Sequence, residues 1–390
     1  MTRRDLIGRW LMAGISAVEP RRLTREALLG RDGPRTVLAI GKAAPAMCMG
    51  AADALGSIDG LCVTNHTGRV PDGIEIVIGD HPVPSQSSLE AGRRALDLAP
   101  RADIALISGG GSALCEVPAD GLTLSFLAEV HQRLLESGVG ISEINLVRSH
   151  LSLIKGGGLG PIDTYILSDV AGQGPEVVSS GPTIGRPPDP ERVLGILHSI
   201  DVEVNAGVET AVRTKVNETS SPDVVEVIGD GKTAARSAVS AVGPTIPSRV
   251  ADGWIEGDHL GALSDFIHDA PPGVTVAAGE PTVEVGGSGR GGRNTHTALT
   301  AAGMITDTGI LFAALATDGL DGSSGSAGAI VDGGTWERGE QPEDALARFD
   351  SATFLRDTGD LIETGPTGTN VADLWLIWKP GDGSEPILTS

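Results

Sequence analysis

The segment Asp103-Ile-Ala-Leu-Ile-Ser-Gly-Gly-Gly-Ser-Ala-Leu114 decides the fold of this chain. Its apolar run Ile104–Ile107 has the length and composition of a strand that is buried on both faces of a parallel sheet. Three glycines follow between Ser108 and Ser112, so successive backbone N–H groups can turn toward one point and bind an anion. Ligands of open α/β sheets bind at the carboxyl ends of the strands. The segment therefore predicts an anion site, although a ligand-free turn would look the same.

Strand and helix patterns alternate through about the first 250 residues, which is typical of βαβ units and a mostly parallel sheet. Ser87–Glu90 has the spacing of a capping box and predicts the start of a helix that runs toward Leu98. Further strands are expected at Thr36–Ile40, Leu61–Thr64, Glu75–Ile78, Thr164–Leu167 and Val224–Ile228.

The pattern changes near Ser248. Two short apolar runs, Val274–Ala277 and Pro281–Val285, predict a hairpin, and a helix at Arg293–Ala302 and a strand at Gly309–Leu315 follow. We therefore expect an α/β protein of two domains. Residues 1–247 should form a larger Rossmann-like domain with a parallel sheet, and residues 248–390 a smaller α/β domain with a mixed sheet.

Composition excludes several classes of partner. The 51 acidic and 29 basic residues give a formal charge of −22, which argues against nucleic acid or an anionic membrane as the main partner. No apolar run approaches the ~20 residues that a membrane-spanning helix needs. The three cysteines fit neither a zinc pattern nor a disulfide framework. A cytoplasmic protein that binds small molecules is expected.

Lysine is rare in this chain, although arginine is frequent, so a lysine beside a glycine turn is a candidate for ligand binding. Lys42 follows a predicted strand at the start of a helix, where its ammonium and the helix N–H groups would act on one anion. Arg148 and Lys155 lie seven residues apart, on one face of a predicted helix before another glycine triplet. The alternatives are that Lys42 is an ordinary surface lysine and that Arg148 and Lys155 form a solvated basic stripe.

Carboxylates and a second glycine motif complete the candidates. Asp169 and Asp318 each follow a predicted strand, where a carboxylate can bind a metal ion, accept a proton or simply cap a turn. Gly287–Gly292 has the G-x-G-x-x-G spacing of dinucleotide sites, but Arg290 and Arg293 suit direct phosphate contact better. Anion loops, cations and carboxylates together are what phosphoryl transfer requires.

The chain resembles the class II glycerate 2-kinases, whose C-terminal part is the MOFRL domain and some of which are named hydroxypyruvate reductase. The blocks that carry this resemblance occur in order along nearly the whole chain. They are Ile40–Ala44, His81–Pro84, Ile107–Ala113, Ile144–Arg148, Ile154–Gly157, Leu167–Val170, Ser180–Thr183, Gly279–Glu280, Gly291–Asn294, Ala316–Gly319, Ala327–Asp332 and Thr364–Asn370.

The resemblance implies transfer of the γ-phosphoryl group of Mg-ATP to the 2-hydroxyl of D-glycerate, in a cleft between the two domains. It implies catalytic roles for Lys42, Arg293 and Asp169, and metal binding by Asp169 and Asp318. The implied substrate residues are Ser108, Gly109, Gly110, Gly111, Ser112, Arg148 and Lys155. The implied nucleotide residues are Glu280, Gly291, Gly292, Asn294, Asp318 and Asn370.

Two other functions stay open at this point. An NAD(P)H-dependent hydroxypyruvate reductase is suggested by Gly287–Gly292 and by the mixed naming of the family. A catalytically impaired binder of small acids or nucleotides is suggested because acidic residues expected at Gly172–Gly174 and around Gly325 are missing. A homo-oligomer is compatible with the sequence.

Overall fold

The computed structural model describes residues 1–33, 35–81, 83–170, 172, 174–214 and 222–381, and not the side chains of Leu135 and Ile141. Pro82 and Gln173, which belong to two of the segments quoted above, therefore lie outside the described residues. The chain forms two compact units. The sheet-one unit comprises Pro20–Ser168 and Gln173–Ile228. The sheet-two unit comprises Met1–Glu19, Asp169–Gly172 and Gly229–Ser390.

Six strands in the order β3-β2-β1-β4-β5-β6 form the first sheet, and the neighbouring pairs from β1 to β5 are parallel. The strands are β1 (Thr36–Ile40), β2 (Asp59–Thr64), β3 (Ile74–Ile78), β4 (Ile104–Ser108), β5 (Asp163–Leu167) and β6 (Val225–Gly229). This is the strand order of dinucleotide-binding folds, in which the order reverses between β1 and β4. Every residue of β4 is buried, as its apolar run predicts.

Helices cover this sheet and extend into a separate apolar cluster formed by α6 to α9. They are α2 (Pro20–Leu28), α3 (Ala44–Leu55), α4 (Gln86–Leu98), α5 (Gly111–Leu114), α6 (Leu124–Glu136), α7 (Ile141–Leu151), α8 (Pro190–Ser199) and α9 (Ala206–Thr214). Helix α4 begins after Ser85, whose hydroxyl caps it. The capping box predicted at Ser87–Glu90 is therefore wrong by two residues.

The second sheet is mixed, with the order β11-β10-β9-β12-β8-β7. Its strands are β7 (Ser248–Val250), β8 (Gly273–Gly279), β9 (Leu311–Ala316), β10 (Gly328–Asp332), β11 (Leu361–Ile362) and β12 (Asp373–Lys379). The unit's helices are α1 (Arg3–Ala17), α10 (Gly231–Val242), α11 (His259–Asp269), α12 (Arg293–Met304), α13 (Thr335–Arg338), α14 (Pro342–Ala347) and α15 (Ser351–Asp357). Phe266, Phe312 and Trp375 pack together in its core.

The predicted combination of a Rossmann-like parallel sheet and a mixed sheet is confirmed, and each sheet has six strands. The hairpin predicted from Val274–Ala277 and Pro281–Val285 is wrong. Strand β8 pairs instead with β12 and β7, and beyond it Thr282 makes only an isolated bridge to Asp258. Pairing with the distant β12 buries all of β8, which a local hairpin would not.

The division into units differs from the boundary predicted between residues 247 and 248. Helix α1 packs against α10, and both belong to the sheet-two unit. The buried stripe of α1 includes Ile7, Trp10 and Leu11. An amphipathic pattern predicts that such a stripe is buried, but it does not say against which element. Within the described residues, no helix has the length and apolar character needed to cross a membrane.

Candidate functional site

The point at which the first sheet reverses its strand order carries the predicted anion loop. Lys42 follows β1, and Ser108–Gly111 follows the neighbouring strand β4. Two hydrogen bonds join the loops: the Lys42 N–H donates to the Gly109 carbonyl at 2.9 Å, and the Ala43 N–H donates to Ser108 Oγ at 3.1 Å. Ser108 is fully buried, so its hydroxyl links the two loops and is not exposed at their surface.

The glycine loop leaves a row of donors without protein partners. In the described part of the chain, the N–H groups of Gly110, Gly111 and Ser112 donate to no protein acceptor. Gly110 has a φ of 86°, which favours glycine, and a Cβ on Gly111 would clash with the Ser179 hydroxyl. The first N–H groups of a helix have no acceptor within the helix and can donate to an anion. The geometry of this loop therefore allows its N–H groups to donate to an acceptor from outside the protein.

His81 lies at the same place, although the sequence analysis did not select it as a site residue. A Cβ added to Gly110 would lie 3.1 Å from Lys42 Cγ and 3.5 Å from His81 Cδ2. His81 is exposed and follows β3, the third strand along the chain. The signal that could have identified it is its position just beyond a strand, in the His81–Pro84 block.

A chain of hydroxyl groups supports the loop from below. Ser112 Oγ lies 2.8 Å from Ser180 Oγ, which donates to Asn145 Oδ1 at 2.9 Å, while Ser179 Oγ donates to the Ser108 carbonyl at 2.7 Å. Ser179 and Ser180 have φ values of 52° and 61°, a left-handed conformation that costs serine free energy. The loop is held by a backbone that the surrounding contacts keep in a strained state.

The two predicted basic residues have different environments. Lys155 is buried and paired with Glu116, which Ser152 also contacts, so its ammonium is already paired within the fold. Arg148 is mostly buried, and among the described residues its only hydrogen-bonding partner is the neutral ring of His131. Burial lowers the pKa of Arg148 to about 10, which still leaves it charged at neutral pH.

His131 gives this region a predicted pH dependence. Burial lowers the pKa of His131 from 6.5 to about 4, and Arg148 and Lys155 act in the same direction. The unfolded chain therefore takes up a proton that the folded chain does not, and we expect the free energy of unfolding to fall as the pH drops from about 6.5 toward 4.

Urea unfolding at pH 7 and pH 5 measures this effect. His131→Gln keeps an acceptor for Arg148 but cannot titrate in this range, so its midpoint should fall less with acid than that of the parent. His198, which is exposed, provides the matched control, and His198→Gln should show the full loss. Equal losses for the two variants would contradict the assignment.

The sheet-two unit gathers a second group of predicted residues at one sheet edge. Strand β12 begins at Asp373, which lies opposite Gly279 at the end of β8 and Ala316 at the end of β9. Glu280 and Asp318 follow those two strands, and Asn370 precedes β12. This register brings the predicted nucleotide residues together, although they lie far apart in sequence.

Asp169 and Arg293 complete this group. The Asn370 side-chain amide donates to Asp169 Oδ2 at 3.4 Å. Arg293 is the first residue of α12 and forms ion pairs with Asp373 at 2.5 Å and Glu280 at 2.7 Å. Burial disfavours its charge, but Asp373 and then Glu280 raise the pKa of Arg293 above its ordinary value, so the guanidinium stays protonated.

The second glycine motif is already occupied by the protein's own acceptors. Asp321 accepts from the N–H groups of Asn294 at 2.9 Å and Thr295 at 2.8 Å. The N–H of Gly291 donates to Ser323 Oγ and that of Gly292 to Thr295 Oγ1. Asn294 is itself buried. These donors are satisfied internally, so this motif does not offer the row of N–H groups that a dinucleotide phosphate requires.

The carboxylates at this edge do not form a complete metal site by themselves. Within the described ranges, no group of three or more histidine, cysteine, aspartate or glutamate side chains is arranged to hold a metal ion. Magnesium ions usually bind through one or two carboxylates together with substrate phosphates. Asp169 and Asp318, the predicted ligands, fit that arrangement and not a metal cage made by protein alone.

The two units form an α/β protein with a glycine loop at the reversal point of a Rossmann-like parallel sheet. Comparison with known families agrees: residues 7–217 match DUF4147, described as a domain of unknown function, and residues 273–373 match the MOFRL family. The chain is 36% identical to a glycerate 2-kinase of Pyrococcus horikoshii, covering 86% of this chain and 85% of that protein.

Further relatives bear related names. A D-glycerate 2-kinase of Thermotoga maritima is 33% identical, covering 92% of this chain and 94% of that protein. A putative hydroxypyruvate reductase of Agrobacterium vitis is 34% identical, covering 96% and 94%. The crystal structure of a Thermotoga maritima glycerate kinase superposes with a TM-score of 0.86 at 32% identity, covering 96% of this chain and 99% of that one. The chain belongs to the class II glycerate kinase family.

Proposed function

We propose that this chain is an ATP-dependent glycerate 2-kinase, which transfers the γ-phosphoryl group of ATP to the 2-hydroxyl of D-glycerate and yields 2-phosphoglycerate. The observation that carries the proposal is the row of unbonded N–H groups at Gly110, Gly111 and Ser112, beside Lys42, at the reversal point of the first sheet. Relatives at 33% and 36% identity named as glycerate 2-kinases support the choice of reaction.

The glycine loop binds the carboxylate of the acceptor in this proposal. Its N–H groups can donate to the carboxylate oxygens, and Gly109 shapes the loop through its carbonyl contact with Lys42. Arg148, which has no carboxylate partner among the described residues, adds a positive charge behind the loop. Lys155 acts indirectly, because its ammonium is already paired with Glu116.

Two cations are assigned to the phosphoryl group in this proposal. The cations of Lys42 and Arg293 offset the negative charge of the transferring group, an effect that is large where water is excluded. Glu280, Asp318 and Asn370 bind the nucleotide from the edge of the second sheet. Gly291, Gly292 and Asn294 hold the start of α12 and the Arg293 backbone in place through their internal hydrogen bonds.

The proposed step is an in-line displacement. The glycerate 2-hydroxyl oxygen forms a bond to the γ-phosphorus, the bond from that phosphorus to the bridging oxygen breaks, and ADP leaves with the electron pair. The hydroxyl proton passes to the carboxylate of Asp169, which Asn370 holds by its amide at 3.4 Å. Magnesium bound with ATP would supply further charge neutralisation, with Asp169 and Asp318 as its candidate protein ligands.

Reduction of hydroxypyruvate is the second candidate, because a relative at 34% identity bears that name. The occupied N–H groups of the Gly291–Thr295 segment argue against the dinucleotide site that it would need. A catalytically impaired protein that binds small acids or nucleotides is the third candidate.

Two parallel assays test these candidates on the full chain. The first contains D-glycerate, ATP and magnesium and follows ADP release. The second contains hydroxypyruvate with NADH or NADPH and follows loss of the reduced cofactor. We expect glycerate-dependent ADP release and no cofactor oxidation. Cofactor oxidation without ADP release would support the reductase, and thermal stabilisation by ATP or glycerate without turnover would support the impaired binder.

A further inference from the structure

Asp373 is the most buried charged group beside Arg293, and no part of the sequence analysis selected it. It is the first residue of β12, the strand between β8 and β9, and its side chain has no solvent exposure. The carboxylate accepts from Arg293 Nε at 2.5 Å and from Nη2 at 3.1 Å. This two-point contact fixes the plane of the guanidinium as well as its position.

Glu280 contacts the same guanidinium in a different manner. It accepts from Nη1 at 2.7 Å through a single bond, and about half of its side chain is exposed. A buried pair with two bonds restrains a side chain far more than an exposed pair with one bond. Arg293 is thus held on one edge by Asp373, whereas Nη1 lies at the exposed side.

The backbone before Asp373 is also specialised. Ala372 has a φ of 68°, a left-handed conformation that is unfavourable for alanine. Its carbonyl accepts from both the N–H and the hydroxyl of Thr317, and the Val371 N–H donates to the same hydroxyl. Strain of this kind persists only where surrounding contacts impose it. Here those contacts direct Asp373 into the sheet edge, against Arg293.

We propose that Asp373 is a positioning residue, which holds the Arg293 guanidinium in the orientation that the phosphoryl group requires. The inference rests on the proposed function for the identity of the reaction. It goes further by assigning the orientation of Arg293 to one buried carboxylate and not to Glu280. Asp373 is buried and bonded to the Arg293 guanidinium, so its effect on the reaction passes through Arg293.

The electrostatics of the pair give the inference a second observable. Burial raises the pKa of Asp373 to about 7, with Arg293 opposing this rise and Glu280 adding to it. Those two are the charged groups that act on Asp373 among the described residues. Below about pH 7 the carboxyl gains a proton and its charge-assisted hold on Arg293 weakens. Turnover should therefore decrease on the acid side with a midpoint near 7.

A double-mutant cycle on the full chain tests the proposal. Asp373→Asn, Arg293→Lys and the double variant are compared with the parent for kcat and for the KM of glycerate. We expect each single variant to lose about 100-fold in kcat, as misplacement of a catalytic group does. The KM for glycerate should change by less than about threefold in each variant. The kcat of the double variant should lie within about threefold of the kcat of either single variant, because both changes disable the same group.

Asp360→Asn is the matched control. Asp360 is another buried aspartate of the sheet-two unit, and it accepts from Arg338 Nη2 at 3.0 and 3.1 Å. Its replacement should lower the unfolding midpoint and leave kcat within about twofold, since it lies away from the residues assigned to catalysis. The acid limb near pH 7 should be absent from Asp373→Asn and present in Asp360→Asn.

Additive losses in the cycle, an acid limb that persists in Asp373→Asn, or an equal kcat loss in Asp360→Asn would each overturn the proposal. A parent protein that does not phosphorylate glycerate would instead overturn the proposed function. In that case the same cycle is measured on ATP affinity by calorimetry. Equal losses of ATP affinity in Asp373→Asn and Arg293→Lys, with no further loss in the double variant, would then support the positioning role. Additive losses in the double variant would contradict it.

Discussion

Replacement of Lys42 by alanine is expected to lower kcat for glycerate phosphorylation by about 100- to 1,000-fold, the usual cost of removing one donor to a developing charge. Lys42 lies beside Gly110, where three N–H groups have no protein acceptor in the described residues. Its ammonium group is the lysine cation at that loop. ADP release at saturating D-glycerate and ATP measures the effect, and the unfolding midpoint should change little.

Lys232 provides a matched control for this prediction. It also follows a glycine at the start of a helix, α10, and it is exposed. Although Gly231-Lys232-Thr233 ends like a phosphate-binding loop, Glu226 stands where that motif requires a glycine. Lys232→Ala should keep kcat within about twofold of the parent. A Lys42→Ala protein with near-normal turnover would remove Lys42 from the catalytic set.

Replacement of Lys155 by methionine is expected to give the largest loss of stability, about 3–5 kcal/mol, because it leaves the Glu116 carboxylate buried without a positively charged partner. The side chains of Lys155 and Glu116 are 2% and 5% exposed. Ser152 also contacts Glu116, but a hydroxyl does not replace the lost charge. Urea unfolding at pH 7, followed by circular dichroism, measures the change in the free energy of unfolding.

Two further variants separate this effect from a general loss of charge. Lys155→Met combined with Glu116→Gln removes the unpaired charge and should recover about 2 kcal/mol or more of the loss. Glu26→Gln breaks the exposed ion pair of Arg22 and Glu26 and should cost less than about 1 kcal/mol. A loss in Lys155→Met as small as that in Glu26→Gln would show that the buried pair contributes no more to stability than an exposed pair.

The first sheet was predictable because its signals are local. The apolar run Ile104–Ile107 and the glycines after it predict both the buried strand and its turn, and the structure has β4 and the loop there. Lys42 could be placed at the same edge because parallel strands end on one side of a sheet. The register of the second sheet could not be predicted in this way, since β12 pairs with strands far away in sequence.

The chemistry that the sequence did not reveal depends on such distant pairing. Nothing in the sequence near Asp373 says that it faces Arg293, because the two residues are 80 positions apart. Asp321 likewise occupies the N–H groups at the start of α12, which a motif search would assign to a phosphate. A spacing pattern counts glycines, but it does not show which donors the fold has already satisfied.

Phosphorus-31 nuclear magnetic resonance of the full chain with D-glycerate, ATP and magnesium tests the central claim most directly. We expect the ATP signals to convert to those of ADP while a single new phosphomonoester signal grows at the position of authentic 2-phosphoglycerate. Unchanged ATP signals, or a product that matches 3-phosphoglycerate, would contradict it.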